Sequence, residues 1–186
     1  MKERPILFSG PMVRAILAGI KTQTRRVVKS DRLIGATDAY MATPEGQAKQ
    51  LIGCPYGHPG HRLWVREAFG LVVSDRDGPR PESIIFRADG NEGWDGKWRP
   101  SIHMPRWASR GLLEITALRV ERLQEISEAD ALAEGARNWA AEQDTPVRDL
   151  DEARLQFRAL WTDINGGESW DANPWVWVVE FKHKVT

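Results

Sequence analysis

The stretch Ile16-Leu17-Ala18-Gly19-Ile20-Lys21-Thr22-Gln23-Thr24-Arg25-Arg26-Val27-Val28 changes its apolar period partway along. Upstream, Met12, Ile16 and Leu17, with Val13 and Ile20 beside them, mark the buried stripe of a helix. Gly10-Pro11 opens that helix, with proline at the first position, where its missing N–H costs nothing. Gly19 weakens the last turn, and residues 25–28 read as extended. If the strand takes in Thr22, Thr24 and Arg26, those three side chains share one face. A helix that hands over directly to a strand, with further strands downstream, predicts an α+β fold.

Working outward, residues 5–8 form a short apolar strand before the helix. Residues 30–61 have little periodicity and much Gly, Pro and Ala, which reads as a long insertion or flexible loop. Residues 62–69 read as a strand, with Leu63, Val65, Glu67 and Phe69 on one face and Arg62, Trp64, Arg66 and Ala68 on the other. A second strand at 83–87 follows the turn-rich Asp75-Arg76-Asp77-Gly78-Pro79. Residues 90–108 read as a structured loop, and 112–120 as a long strand. Ser127-Glu128-Ala129-Asp130 has the form of a capping box that starts a short helix ending at Gly135. Leu150, Ala153, Phe157, Leu160, Trp161 and Ile164 make the stripe of another helix, stopped by Asn165-Gly166-Gly167. Residues 175–182 form a closing strand, so a closed or nearly closed mixed sheet is the simplest architecture.

The chain's 186 residues fit one domain. Its 26 basic and 26 acidic residues balance, which argues against coating nucleic acid by bulk electrostatics but leaves room for a local basic site. Residues 21–29 and 97–110 carry basic side chains without an acid, whereas 121–152 is strongly acidic, a division that suggests a basic mouth and an acidic back. The single cysteine, Cys54, points to a reducing cytoplasm. The N-terminus does not read as a signal peptide, and no apolar run is long enough to span a membrane. Nine tryptophans supply core volume or flat faces on which a base can stack.

The same opening stretch holds the first chemical candidates. A partly buried lysine crowded by Arg25 and Arg26 should titrate below its usual value, and an uncharged lysine can take the proton of a threonine hydroxyl. On local grounds, Lys21 also suits a helix C-terminus and Thr24 a strand. Glu134 sits in the last turn of its helix beside Leu132, Ala133 and Gly135, where the dipole disfavours an anion and its pKa should rise. Glu67, if its face points inward, needs an arginine or a substrate amine as partner. Cys54, His58 and His61 lack a clear fourth ligand and read as a turn rather than a zinc site, so no metal and no cofactor is expected.

Three blocks carry a resemblance. They are Gly19-Ile20-Lys21-Thr22-Gln23-Thr24-Arg25-Arg26, then Leu123-Gln124-Glu125-Ile126-Ser127-Glu128 leading into Ala131-Leu132-Ala133-Glu134-Gly135, and Trp177-Val178-Val179-Glu180-Phe181-Lys182. In this order they resemble the ASCH group of the PUA-like superfamily. With Ile6-Leu7-Phe8-Ser9-Gly10, Leu63-Trp64-Val65-Arg66-Glu67 and residues 99–107, the chain is similar to the larger, often phage-related members. The resemblance implies a PUA-like small mixed β-barrel with flanking helices, as one domain over 1–186 with insertions at about 29–61 and 70–110. It further implies an amidohydrolase of N4-acetylcytidine or related N4-acylated cytosine nucleosides, with Lys21, Thr24 and Glu134 as the catalytic set and Arg26 closing the first motif. Glu67, Trp64, Arg106 and Trp107 are candidate substrate contacts by residue type and strand parity. Whether Thr24 or a water attacks stays open. The alternatives are an RNA-binding module, with 97–110 on phosphates, and a ribonuclease.

Overall fold

Ten consecutive residues near the end of the chain, Trp175-Val176-Trp177-Val178-Val179-Glu180-Phe181-Lys182-His183-Lys184, are almost wholly buried through Phe181. That run suits a strand covered on both faces. The computed structural model describes residues 2–29, 38–72, 84–91, 93–143 and 152–184. The run forms β7 (Trp175–Lys184), paired antiparallel along its length with β6 (Leu112–Arg122). A bulge between Ile115 and Ala117 shifts their register, which sharpens the local twist. On its other side β7 pairs antiparallel with β2 (Gln23–Val27), and β6 pairs antiparallel with β3 (Arg62–Arg66). The strand β1 (Glu3–Leu7) adds in parallel to β3, giving a five-stranded mixed sheet in the order β1-β3-β6-β7-β2. A two-stranded sheet pairs β4 (Phe69–Leu71) with β5 (Ile84–Phe86).

The expected mixed α+β fold is present, but among the described residues the sheet does not close into a barrel: β1 and β2 are its unpaired edges. A side chain links the two edges, Arg26 Nη2 donating to the Leu7 carbonyl at 2.7 Å. Several local expectations also shift. Residues 38–52 are not a loop but two helices, α2 (Asp38–Met41) and α3 (Pro44–Ile52), the second capped by Thr43 Oγ1 accepting from Gly46 N at 3.1 Å. The strand expected over 62–69 breaks after Arg66, yet Leu63, Val65, Glu67 and Phe69 are all buried as its parity predicts. The turn at Asp75–Pro79, the start of the strand at 83 and Leu150 lie outside the described residues.

The first helix, α1 (Gly10–Leu17), buries Met12, Val13, Ala15 and Ile16. The capping box forms as expected: Ser127 Oγ accepts from Asp130 N at 3.1 Å, and the Asp130 carboxylate accepts from Ser127 N at 3.5 Å. It starts α4 (Glu128–Ala133); α5 (Ala136–Ala141) and α6 (Ala153–Asn165) complete the helical layer. The α6 stripe buries Ala153, Phe157, Leu160 and Trp161, whereas Ile164 is exposed. Five tryptophans, at 139, 161, 170, 175 and 177, are core side chains.

The reversal from α4 to α5 turns on Gly135, whose φ is +77°. A Cβ there would meet Ala15 Cβ at 3.3 Å and Lys21 Cβ at 3.4 Å. This glycine therefore answers two demands, a left-handed backbone and a close approach to residue 21. Gly135→Ala is expected to lower stability by about 1–3 kcal/mol, the scale of a strained left-handed residue. Urea denaturation should show a lower midpoint with an unchanged slope; an unchanged midpoint would contradict this reading of the turn.

Candidate active site

Residues 20–22 are pinned from three sides before any side chain is considered. The amides of Ile20 and Lys21 both donate to the Ala15 carbonyl, at 2.9 and 3.0 Å. Thr22 N donates to the Ala133 carbonyl at 2.9 Å, and Thr22 O accepts from Phe181 N at 2.8 Å. The end of α4 is thereby bolted to the junction between α1 and β2, and Gln23 Nε2 adds a bond to the Asp130 carbonyl at 2.9 Å. This docking carries Glu134, the residue after α4, onto Lys21.

Lys21 and Glu134 are both 3% exposed, so each must satisfy its polar atoms within the protein. Lys21 Nζ donates to Glu134 Oε2 at 2.8 Å and to the Glu134 carbonyl at 2.7 Å. The other oxygen, Oε1, accepts from Arg25 Nη1 at 3.1 Å. Arg25 is itself buried, and its guanidinium reaches Glu121 from Nε at 3.1 Å and Asp130 from Nη2 at 3.3 Å. Arg119 backs these two carboxylates, at 2.9 Å each, and also meets Glu180. The cluster thus lies between the end of α4 and the β2, β6 and β7 strands.

Burial pushes the Lys21 ammonium below its ordinary range; the Glu134 charge and hydrogen bond oppose this, and Arg26 and Arg25 add to it. An uncharged amine has two N–H groups and one lone pair. Loss of one proton would still leave two N–H groups for the two Glu134 acceptors and would free a lone pair. Lys21 lines a cavity of about 550 Å³, a volume suited to a small organic ligand. Thr24, Arg25, Arg26 and Glu134 line the same cavity. Thr24 is 4% exposed, so what access it has is through this cavity. Aromatic walls come from Phe8, Tyr56, Phe157 and Trp161. The cavity occupies the gap between the ends of β1 and β2, where a closed barrel would have had backbone pairing.

The structure therefore brings Lys21, Thr24, Glu134 and Arg26 to one cavity. Arg26 is partly engaged, bonded to Leu7 and lying over the Phe8 ring at 5.3 Å. Glu67 faces inward as its parity predicts, and its partner is an arginine: Arg110 bonds both carboxylate oxygens, at 2.9 and 3.0 Å. Burial pushes the Glu67 carboxyl up, and Arg110 opposes it. Glu67 lines a second cavity, of about 410 Å³, that shares Phe8, Ser9 and Ser101 with the first.

Trp64, Arg106 and Trp107 line neither cavity. Trp64 packs on the small cluster of Phe69, Met104 and Ala108, Arg106 pairs with Glu3 at 2.8 Å, and Trp107 is 48% exposed. Sequence reasoning missed Arg25 as a site residue, giving it no part beyond crowding Lys21. The signal that could have found it was the acidic run downstream, which needed a buried cation. Cys54 is buried, and His61 Nδ1 accepts from His58 N at 3.4 Å. Among the described residues no group of three His, Cys, Asp or Glu side chains is arranged to hold a metal, and no helix is long and apolar enough to cross a membrane.

Among solved structures, the chain is similar to an ASCH domain from Lactobacillus crispatus JV V101, at 14% identity and a TM-score of 0.41, over 98% of this chain and 79% of that one. A likeness of that degree bears on neither activity nor site residues. No family model and no curated protein matches the chain.

Arg25→Met is expected to destabilise the fold by about 3–5 kcal/mol, the cost of removing one partner from a buried ionic cluster. Denaturation of the variant beside wild type tests this. A loss under about 1 kcal/mol, the scale of an exposed pair, would contradict a buried role for the guanidinium.

Proposed function

We propose that this protein hydrolyses the amide bond of N4-acylated cytosine nucleosides, N4-acetylcytidine being the simplest. The observation that carries the reading is the buried Lys21–Glu134 pair, 2.8 Å apart, opening onto the cavity that Thr24 also lines. A lysine whose burial eases loss of its proton, a threonine hydroxyl on the same cavity wall and a carboxylate within reach of the amine make up a base, a nucleophile and a proton carrier. The reaction and the cytosine half of the substrate come from the sequence resemblance to the ASCH group. The aromatic walls suit a flat base.

In this mechanism the lone pair of Lys21 takes the Thr24 proton as Oγ1 bonds to the acyl carbon. The carbonyl becomes an oxyanion, and the nearby guanidinium of Arg26 stabilises it. Glu134 relays the proton from Lys21 to the departing exocyclic nitrogen, the C–N bond breaks and cytidine leaves. Water, activated by the same lysine, then releases the acyl group from Thr24. A direct attack by water, with Thr24 as a donor, uses the same residues; the two routes differ in whether an acyl-threonine forms.

The RNA-binding reading draws less support. Two of its basic side chains, Arg106 and Arg110, are already committed to Glu3, Glu67 and Asp89, which leaves fewer charges free for phosphates.

The test follows release of cytidine from N4-acetylcytidine and larger N4-acyl cytidines by chromatography. Wild type should turn over at least one of them; no turnover of any would sink the hydrolase reading. Lys21→Ala, checked for folding by circular dichroism, should lose activity by about 10²–10⁴-fold, the range for a general base. An active variant would remove lysine from the mechanism.

Activity should also fall as acid protonates Lys21. Because burial lowers the pKa of this group, the acidic limb of kcat/KM should lie below the ordinary lysine value of 10.5. A limb at or above that value would contradict the assigned base.

A further inference from the structure

The second cavity has no part in the proton transfers, yet it adjoins the first through Phe8, Ser9 and Ser101. Its surface combines an acceptor with donors. The acceptor is Glu67, 2% exposed and fixed by two bonds from Arg110, which also holds Asp89 at 2.7 Å. The donors lie at the start of α1, which lines the same cavity through Ser9, Gly10 and Pro11 and where Ser9 makes no side-chain cap. The first N–H groups of a helix have no partner within it, and Pro11 has none to offer. The Ser9 and Ser101 hydroxyls stand at the wall shared with the first cavity.

This combination selects a chemical class. An anion such as phosphate would meet the Glu67 carboxylate. Of the arginines on this wall, Arg14 is already committed to Glu142 and to the Ala88 carbonyl, so only Arg87 could offset the repulsion. A cation is not called for either, because Arg110 already occupies both Glu67 oxygens and the N-terminus of a helix disfavours positive charge. Neutral hydroxyl groups fit both sides: they donate to the carboxylate and accept from the helix start and the serines.

We propose that this second cavity receives the ribose hydroxyls of the substrate, with Glu67 as their acceptor, so that a free nucleoside fills both cavities at once. The inference rests on the N4-acylcytosine reading of the first cavity. It makes Glu67 a recognition residue for the sugar. It also ranks substrates: a nucleoside above the bare base, and a free nucleoside above the same residue inside an RNA strand. There the 3′ oxygen is esterified, and its phosphate would approach Glu67.

The experiment measures kcat/KM of wild type and Glu67→Gln on N4-acetylcytosine, N4-acetyl-2′-deoxycytidine, N4-acetylcytidine and a short oligoribonucleotide containing N4-acetylcytidine. Wild type should prefer the ribonucleoside to each of the other three. In Glu67→Gln the ratio of ribonucleoside to base should fall by about tenfold, mainly through KM, the scale of one hydrogen bond to a charged group. Equal losses on base and ribonucleoside, or an oligoribonucleotide that matches the free nucleoside, would overturn the proposal. Should Glu67→Gln not fold, Ser9→Ala serves instead; its ratio should fall in the same direction, and no change would count against the sugar site. If wild type turns over none of the four, the hydrolase reading fails by itself. The sugar site is then decided by calorimetric titration with cytidine and cytosine: tighter binding of cytidine, reduced in the variant, supports it, and equal or absent binding of both overturns it.

Discussion

A lysine amine buried against a single carboxylate, which it shares with a buried arginine, is the constraint on which the rest of this structure depends. Removing such charges from water costs several kcal/mol per ion, and only close geometry offsets that cost. Here the geometry is supplied by backbone. The Thr22 amide on Ala133 locks the end of α4 to the junction of α1 and β2, and the Thr22 carbonyl on Phe181 ties that junction to β7. Gly135 lets the chain turn away without a Cβ that would crowd Lys21. Arg25 holds the second Glu134 oxygen and continues into Glu121 and Asp130, so the carboxylate cannot rotate freely. A cluster held this firmly keeps Lys21 in place on the cavity wall.

The sheet serves the same end. A barrel closed between β1 and β2 would fill the space with backbone hydrogen bonds. Instead the edges stand apart, Arg26 spans them to Leu7, and the gap becomes the cavity. Exposed edges invite pairing with other chains. Here both edges border a cavity walled by α6 through Phe157, Leu160 and Trp161, and β2 carries charged residues.

How much of this could be read beforehand varied with the physics involved. The chain order of elements was legible where periodicity was strong: β7 as an apolar run, α6 by its stripe, α4 by its capping box. The helices α2 and α3 were missed because they are short and mostly polar, with their start marked by little more than Thr43-Pro44. The inward face of Glu67 followed from strand parity, but its partner, 43 residues later, did not. Lys21, Thr24 and Glu134 emerged from motif resemblance; spacing alone fitted a helix end and an ordinary strand equally well. Arg25 was passed over because alternation places Thr24 and Arg26 on one face and Arg25 on the other. On an edge strand overlaid by helices both faces are enclosed, so parity does not separate site from surface. Trp64, Arg106 and Trp107 were chosen by residue type, a criterion blind to the ion pair and local packing that occupy two of them.

Lys21 is held where it loses its proton more easily than an ordinary lysine, while Glu134 restrains that loss. The most direct measurement is a pH titration of the Lys21 Nζ resonance by nitrogen-15 NMR, in wild type and in Glu134→Gln. The expected midpoint is below the ordinary 10.5 in wild type, and lower still in the variant, where the stabilising carboxylate is gone. A Lys21 that titrates at or above 10.5, or whose midpoint does not fall when Glu134 is neutralised, would contradict it.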